Sequence, residues 1–373
     1  MIPVYQPSIA KNQRKYVLDC IDTNWITFRG KYVNMFQDKF CEFTGSKYAS
    51  VVSNGTVAIH VALEALGIGE GDEVIVPTFT YIATVNAVEY ARAKPVFCDS
   101  NYTDWQIDPI DIVKKITPKT KAILVVHLYG QACDMETICK IAKEHDLYVI
   151  EDCAEAIGTK IGDRYVGTYG DISTYSFFGN KTITTGEGGM VCTDDIDLHE
   201  RVDSLKAHAV DKNKNYWHSE LGYNYRMTNI QAAIGLAQLE ECDKYLKRKR
   251  EIANLYIDGL KGTPFTILGE GPGTTNSFWM CSLLLPDVET RNKLEKVFVE
   301  SNIDFRPAFY PIHTMPMYMK SDDVITSGSE FPDGLFDFPV AMDISSRAVN
   351  IPSWPDLTNE QVGFIIDIIK SIR

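Results

Sequence analysis

The alternation of strand-like and helix-like segments constrains this chain more than any other feature. Between about residues 45 and 195, seven apolar runs alternate with stretches of helical character. The runs are continuous rather than alternating in polarity, which is typical of strands that are covered on both faces. They read YASVVS, DEVIVP, KPVFCD, AILVVHL, LYVIED, ISTYSF and GMVCTD. Strands that alternate with helices predict an α/β domain whose sheet is mostly parallel.

The remainder of the chain predicts a second, smaller unit. With 373 residues, the chain is long enough for one large and one small domain. The stretch TNIQ, which begins at Thr228, matches a capping box and predicts the start of a long helix. The basic run KRKR, from Lys247 to Arg250, lies further along this helix and predicts a solvated helix face. We predict a large domain over residues 1–240 and a smaller α/β domain over residues 241–373.

Charge, cysteine usage and hydropathy narrow the class of protein. The net charge is −13, which makes the chain a poor general partner for nucleic acid or for an anionic membrane. Its nine cysteines form no C-x-x-C pair, and the N-terminus shows no signal peptide. No window of about 18 apolar residues predicts a membrane span. These features predict a cytoplasmic protein with reduced thiols, without a metal site, and without a nucleic-acid or membrane partner.

The segment SNGTVAIH predicts a turn between a strand and a helix. The strand ends at Ser53, Gly55 follows, and Thr56 opens an amphipathic helix that stops at Gly67. Free amides at such a turn, together with the partial positive charge of the helix N-terminus, favour a bound phosphate. The alternative is an ordinary turn, in which the glycine only supplies the required backbone angles. The segment matches neither a Walker A loop nor a dinucleotide-binding fingerprint.

Two other side chains follow apolar strands, at the end where α/β folds bind their ligands. Asp152 comes at the end of LYVIED, and a buried carboxylate at that place requires a cationic partner. Its alternative role is to cap the helix that follows. Tyr81 comes after a strand and a proline, where it can present a flat ring, although it can equally be one more core aromatic residue.

A single lysine stands between two segments that read as buried, in TYSFFGNKTITTGEGGMVCTD. Burying an ammonium group is costly, so Lys181 either bonds covalently to a carbonyl cofactor or extends its head to water. The covalent alternative agrees with the three other features described above. Gly55 and Thr56 would hold a phosphate, Tyr81 would stack on a ring, and Asp152 would pair with a pyridinium nitrogen. These are the parts that pyridoxal 5′-phosphate needs.

Longer stretches of the chain resemble a known family. They are IPVYQPS, SNGTVAIH, HLYGQACDM, IEDCAEAIG, YSFFGNKTITTGEGGM, GYNYRMTNIQAAIGLAQLE and RPAFYPIHTMPMY. In these stretches the chain resembles the sugar aminotransferases of the DegT/DnrJ/EryC1/StrS group, and the resemblance covers nearly its whole length. It implies the aspartate-aminotransferase type fold, which is fold type I of the pyridoxal phosphate enzymes. The large domain would then hold a mostly parallel seven-stranded sheet.

The resemblance also implies roles for five further residues. Ser176 would bind the cofactor phosphate, and Glu155 would lie near the phenolic oxygen of the cofactor. Asn224 would reach the cofactor phosphate of a partner subunit, in a homodimer with shared active sites. Arg306 and His313 would lie near the sugar nucleotide.

The reaction implied by the resemblance is transamination at C4 of a nucleotide-linked 4-keto-6-deoxy sugar. L-Glutamate would be the amino donor, and 2-oxoglutarate would leave. A GDP-linked sugar of the mannose type is favoured, while dTDP-4-keto-6-deoxyglucose and a UDP-linked sugar remain alternatives. A related branch dehydrates its substrate and carries histidine in place of Lys181, so the lysine favours transamination. A non-catalytic binding module would need no reactive lysine, and an unrelated nucleotide-binding protein would be colourless.

Overall fold

The structure, a computed structural model, describes residues 1–214, 216–318 and 337–372. The strands in these residues are β1 (Tyr48–Val52), β2 (Glu73–Pro77), β3 (Lys94–Cys98), β4 (Thr120–Val126), β5 (Tyr148–Asp152), β6 (Lys160–Ile161), β7 (Arg164–Tyr165), β8 (Ile172–Ser176), β9 (Gly189–Thr193), β10 (Thr266–Ile267), β11 (Thr274–Thr275), β12 (Cys281–Leu284), β13 (Arg306–Pro307) and β14 (Ala348–Ile351). The α-helices are α1 (Gln13–Asp22), α2 (Lys31–Thr44), α3 (Gly55–Ala65), α4 (Ile82–Tyr90), α5 (Pro109–Lys115), α6 (Met135–Glu144), α7 (Ile196–Leu205), α8 (Asn229–Glu240), α9 (Cys242–Gly259), α10 (Val288–Glu300), α11 (Pro339–Arg347) and α12 (Asn359–Ser371).

The largest sheet has seven strands, in the order β1-β9-β8-β5-β4-β2-β3. Strand β9 is antiparallel to both of its neighbours, β1 and β8. The remaining neighbours in this sheet are parallel. Each apolar run that predicts a strand forms one of these seven, so the predicted fold class, with its mostly parallel seven-stranded sheet, is confirmed.

Both faces of this sheet are covered by helices. In β2, Val74 and Val76 share an apolar cluster with Val85 of α4. Ile75, between them, joins a different cluster with Ile138 of α6. Because side chains alternate across a strand, a continuous apolar run supplies the cores on both faces. Among the described residues, no helix combines the length and the apolar character that crossing a bilayer requires.

The C-terminal part is built around a four-stranded antiparallel sheet in the order β10-β12-β14-β13. Side chains of α9, α10 and α12 form one apolar cluster with it. The N-terminal segment also belongs to this cluster through Ile2 and Tyr5, and Ile2 pairs with Ile303. The division of the chain at residue 240 stays a prediction.

The helix predicted from the TNIQ motif is in fact two helices. Thr228 caps α8 through the predicted capping box with Gln231. The chain leaves helical geometry at Glu241, and α9 begins at the next residue. The basic run therefore lies on α9.

The predicted solvated face of the basic run is wrong for one residue. Lys249 is fully buried, with 0% of its surface exposed. Helical spacing puts it on the same face of α9 as the buried residues Tyr245, Ile252 and Tyr256. Its Nζ atom donates to the carbonyl oxygen of Ser353 at 2.9 Å. Burial lowers the pKa of Lys249 to about 8.

Candidate active site

A cavity of about 570 Å³ lies at the carboxyl ends of the parallel strands, which is the edge where α/β sheets bind ligands. Its lining includes eight of the ten residues that the sequence analysis singles out. They are Gly55, Thr56, Tyr81, Asp152, Glu155, Ser176, Lys181 and Arg306. The folding of the sheet therefore brings together residues that are up to about 250 positions apart in the chain.

One end of the cavity is formed by the start of α3. Asn54 caps this helix, and its side chain accepts a hydrogen bond from the amide of Val57 at 3.0 Å. A Cβ atom on Gly55 would lie 2.8 Å from the Cβ atom of Ser176, which is closer than unbonded carbon atoms approach. Glycine therefore lets the helix start lie beside Ser176, where helix amides and a hydroxyl group suit a phosphate.

Asp152 is the last residue of β5 and is almost fully buried. Its carboxylate accepts hydrogen bonds from the Thr84 hydroxyl at 2.8 Å and from the Ala154 amide at 3.0 Å. Burial raises the pKa of Asp152 above its usual value, and these two hydrogen bonds act against the shift. A carboxylate held in this way favours a cationic ligand atom next to it.

Lys181 follows a tight turn after β8, in which its amide donates to the carbonyl oxygen of Phe178 at 2.9 Å. Its Nζ atom lies 3.8 Å from Oε1 of Glu155 and 4.0 Å from the centre of the Trp279 ring. Burial lowers the pKa of Lys181, while the carboxylates of Glu155 and Asp152 oppose that shift. A lysine with a lowered pKa exists more readily as the neutral amine, which is its nucleophilic and basic form.

Glu155 is the carboxyl group nearest to this amine. Its Oε2 atom accepts a hydrogen bond from the backbone amide of Tyr129 at 2.9 Å. Tyr129 has a positive φ of 56° and is fully buried, so its unusual backbone conformation directs that amide at Glu155. Burial raises the pKa of Glu155 to about 7, and Lys181 opposes the shift.

The cavity also contains polar atoms that are suited to a ligand. Oγ1 of Thr80 and Oδ1 of Asn180 are buried and have no hydrogen-bond partner among the described residues, and both residues line the cavity. Such atoms are rare in folded proteins. Tyr81 is 56% exposed and also lines the cavity, with its ring centre 5.8 Å from that of Phe309. These observations fit a flat, polar group bearing a phosphate.

Asn224 and His313, the other two residues that the sequence analysis singles out, do not line this cavity. Asn224 is exposed, and its Oδ1 accepts hydrogen bonds from the guanidinium group of Arg226 at 2.9 and 3.2 Å. His313 lies in a short 3-10 turn with its Nδ1 atom 2.6 Å from the hydroxyl of Thr78. Their predicted roles therefore stay predictions.

Sequence reasoning missed several residues that shape the site. Trp279 follows Phe278 and Tyr129 follows Leu128, and nothing in these local patterns distinguishes either residue from the core. Thr84 stands inside a helical stretch, so its hydrogen bond to Asp152 depends on the tertiary structure. Asn54 carried a usable signal, because asparagine directly before a glycine at a helix start is a common N-cap.

A second cluster of titratable groups, comprising His127, Glu151 and Cys153, lies buried beneath the sheet edge. Nε2 of His127 lies 3.0 Å from Oε2 of Glu151. The same carboxylate accepts hydrogen bonds from the amides of Gly167, Tyr169 and Gly170. Although burial alone would raise it, these contacts hold the pKa of Glu151 below its usual value. The carboxylate is occupied by its own chain, which gives the cluster a structural role.

An amine held beside carboxylates at this edge, opposite a helix start suited to phosphate, is the arrangement of the pyridoxal phosphate enzymes with the aspartate-aminotransferase type fold. The model of the DegT/DnrJ/EryC1/StrS aminotransferase family matches residues 7–370, and the chain belongs to this family. It is an aminotransferase, and its cofactor is pyridoxal phosphate.

Individual relatives resemble the chain over almost all of its length. The GDP-perosamine synthase of Escherichia coli O157:H7 is 50% identical over 369 residues, which are 99% of this chain and 98% of that protein. The GDP-perosamine synthase of Vibrio cholerae is 48% identical over 373 residues, with 100% and 99% covered. A crystal structure of DesV from S. venezuelae, in complex with a ketimine intermediate, is 30% identical with a TM-score of 0.88, covering 96% of this chain and 94% of that one.

Proposed function

We propose that the chain is a sugar aminotransferase that converts GDP-4-keto-6-deoxy-D-mannose to GDP-perosamine, with L-glutamate as the amino donor and 2-oxoglutarate as the co-product. The observation that carries this proposal is the 50% identity, over nearly the whole of both chains, to a GDP-perosamine synthase. The matched length, 99% of this chain and 98% of the relative, spans both the large sheet and the C-terminal strands. We infer the type of reaction from the family, and we infer the substrate from this relative.

In this proposal, each residue of the cavity contacts a different part of the cofactor. The amides at the start of α3, with Gly55 and Thr56, bind the phosphate together with the hydroxyl of Ser176. Tyr81 lies against the ring, and Asp152 holds a proton on the ring nitrogen. Pyridoxal phosphate held by these residues would supply the carrier for the amino group and the electron-accepting ring that transamination needs.

Lys181 has two tasks in this proposal. Its amine would hold the cofactor covalently, and as a free base it would accept and return the proton that moves during the reaction. The lowered pKa of Lys181 keeps the free amine competent to accept that proton. The carboxyl group of Glu155 lies 3.8 Å from this amine, and when ionised it favours the protonated form of the amine.

Arg306 is the cation that we assign to the anionic substrates. It lines the cavity on β13, and its side of the cavity is formed by the C-terminal part of the chain. A guanidinium group recognises phosphate or carboxylate oxygens through paired hydrogen bonds. We propose that it contacts the nucleotide sugar, with His313 further along the same segment as a second contact.

We also propose that the protein acts as a homodimer with shared active sites. Asn224 is exposed and lies outside the cavity of its own chain, so it is available to the cofactor phosphate of a partner subunit. We assign the enzyme to the cytoplasm, and its product to dideoxysugar biosynthesis for lipopolysaccharide O-antigen. These assignments rest on the family resemblance.

Borohydride labelling tests the assignment of Lys181. The purified protein should be yellow, and reduction followed by peptide mapping should place the cofactor on the Lys181 peptide. Lys181→Ala should abolish turnover while still binding the cofactor, because the phosphate and ring contacts remain. Label on a different lysine would refute the assignment, and a protein that stays colourless after incubation with pyridoxal phosphate would refute the proposed function.

A single-turnover screen tests the substrate. The enzyme is first converted to its pyridoxamine form with L-glutamate and freed of donor. It is then mixed with GDP-, dTDP- or UDP-linked 4-keto-6-deoxy sugars, and the return of the cofactor absorbance is followed. The GDP-linked sugar should react fastest by at least about tenfold, a difference that corresponds to about 1.4 kcal/mol. Faster reaction of the dTDP-linked sugar would favour viosamine as the product instead.

A further inference from the structure

Two adjacent backbone carbonyl groups, those of Asn180 and Lys181, lie in a loop that belongs to no strand or helix. Residues 177–188 connect β8 to β9, and within this loop the amide of Lys181 donates to the carbonyl oxygen of Phe178. A buried carbonyl oxygen that finds no partner destabilises the conformation that buries it. The carbonyl oxygens of Asn180 and Lys181, in a partly buried loop, both accept hydrogen bonds from side chains elsewhere in the chain.

Both donors are aromatic side chains from distant parts of the sequence. Nε1 of Trp279 donates to the carbonyl oxygen of Asn180 at 2.7 Å. The hydroxyl of Tyr5 donates to the carbonyl oxygen of Lys181 at 2.5 Å, across 176 positions of sequence. Burial raises the pKa of Tyr5, so its hydroxyl keeps its proton and remains a donor. Two consecutive peptide groups next to the reactive amine are thus fixed by side chains.

Tyr5 is itself held by the C-terminal part of the molecule. Its ring packs against the apolar cluster of that part. Before Tyr5 in the chain, Ile2 donates its amide to the carbonyl oxygen of Asn302 at 2.9 Å and accepts a hydrogen bond from the amide of Asp304 at 2.8 Å. The amide of Val4 donates to Oδ2 of Asp304 at 3.1 Å. The N-terminal segment therefore connects the C-terminal part directly to the backbone of Lys181.

We propose that Tyr5 is a positioning residue for Lys181: its hydroxyl fixes the peptide group from which the reactive side chain projects. This inference rests on the proposed function of Lys181. Tyr5 is absent from the lining of the cavity described above, so it acts through the backbone rather than by contact with a ligand. Trp279 has a second role, because its ring also lies against the Lys181 amine. Substituting Tyr5 therefore tests the hydrogen bond to the Lys181 backbone without disturbing a contact to the amine.

The test is Tyr5→Phe, which removes the donor and keeps the ring. Apo-protein is mixed with pyridoxal phosphate, and the growth of the visible absorption band gives the rate of bond formation to the lysine. This rate should fall about threefold to tenfold, as expected for one lost hydrogen bond to the reacting segment. The equilibrium affinity of the protein for the phosphate group of the cofactor should not change. In turnover, kcat should fall by a similar factor with an unchanged KM for the sugar nucleotide.

The matched control is Tyr256→Phe. Tyr256 is fully buried in the same C-terminal cluster, and its hydroxyl donates to the carbonyl oxygen of Pro352 at 2.9 Å. This substitution removes a hydrogen bond of the same kind at a distance from Lys181, so the rate of bond formation should equal that of the wild type. Asp304→Ala, which loosens the N-terminal segment while keeping the Tyr5 hydroxyl, should slow the reaction in the same direction as Tyr5→Phe.

The outcomes separate this inference from the proposed function. If borohydride labels Lys181 in both proteins but Tyr5→Phe reacts as fast as Tyr256→Phe, the positioning role is wrong and the proposed function stands. The same holds if Asp304→Ala reacts at the wild-type rate. If borohydride labels another lysine in the wild type, the proposed function fails, whatever the rate of the variants.

Discussion

Glu155 is a buried carboxyl group that faces a buried amine, and burial shifts the pKa of both groups toward their neutral forms. The pKa of Glu155 rises from 4.5 to about 7. Between these pH values the native protein keeps a proton that the unfolded chain has released. The free energy of unfolding therefore falls as the pH rises through this window, by about 2–3 kcal/mol.

Glu155→Gln should remove this part of the pH dependence. Measured by urea unfolding of the apo-protein, the variant should gain stability relative to the wild type between pH 5 and pH 8, by about 2–3 kcal/mol. Glu70→Gln, at an exposed position, serves as the control and should leave the profile unchanged. Parallel profiles for wild type and Glu155→Gln would show that the carboxyl group is already ionised at low pH.

Asp152 is the residue whose charge matters most to the chemistry. Asp152→Asn keeps the shape of the side chain but cannot hold a proton on the ring nitrogen as a carboxylate does. We expect the fold to persist and kcat to fall about 10²–10³-fold, which corresponds to about 2.7–4 kcal/mol. Asp104→Asn changes another largely buried aspartate whose pKa is raised by burial, and it should leave kcat unchanged. Near-normal turnover of Asp152→Asn would remove this residue from the mechanism.

Two helices begin with the same capping box, and they provide a matched pair. In α8 the box is formed by Thr228 and Gln231, and in α12 by Thr358 and Gln361. Gln231 also donates to the carbonyl oxygen of Glu187, a residue that lines the cavity. The start of α8 is therefore tied to the site, whereas the start of α12 belongs to the C-terminal cluster.

Thr228→Ala and Thr358→Ala should each lower the free energy of unfolding by about 1 kcal/mol. Thr228→Ala should in addition weaken cofactor retention severalfold, measured by dialysis and absorbance, because the segment after Asn224 and the contact to Glu187 both depend on this cap. Equal cofactor retention in the two variants would mean that the start of α8 has no influence on the site.

The elements that could be predicted from sequence are those whose pattern is local. The seven strands of the large sheet are buried on both faces, so each leaves a continuous apolar run. Strands of two residues, such as β6 and β13, leave no such run, because their pairing is set by tertiary contacts. The prediction for Lys249 is wrong for a related reason. A run of charged residues predicts exposure, whereas the helical spacing of Lys249 from Tyr245, Ile252 and Tyr256 places it on the buried face of α9.

The candidate site was predictable to the extent that its residues carry a chemical signature at a strand end. Asp152 and Lys181 have that signature, and the cavity contains both. Trp279 and Tyr5 do not, because an aromatic side chain that supports a backbone carbonyl looks like any core residue. Their positions relative to Lys181 come from the packing of the C-terminal part on the sheet.

At the scale of the whole molecule, shared active sites predict complementation between inactive subunits. Lys181→Ala and Asn224→Ala chains are mixed after dissociation and allowed to reassemble. In a mixed dimer, one site carries both lesions and the other combines an intact Lys181 with an intact Asn224. Activity should therefore rise above that of either parent. Mixed dimers confirmed by mass without any gain in activity, or an active monomer in dilute sedimentation, would contradict the shared site.

The order of the large sheet has a consequence for how the chain is made. Strand β1 lies at one edge, and its partner β9 follows roughly 140 residues later. At ordinary rates of synthesis, the apolar residues of β1 wait on the ribosome for about 7–30 s before that partner emerges. Nascent chains arrested before Gly189 should be cleaved by protease near β1, and chains arrested well beyond Thr193 should be protected. Until β9 emerges, both edges of β1 lack a partner strand, which makes this segment a site of aggregation during synthesis.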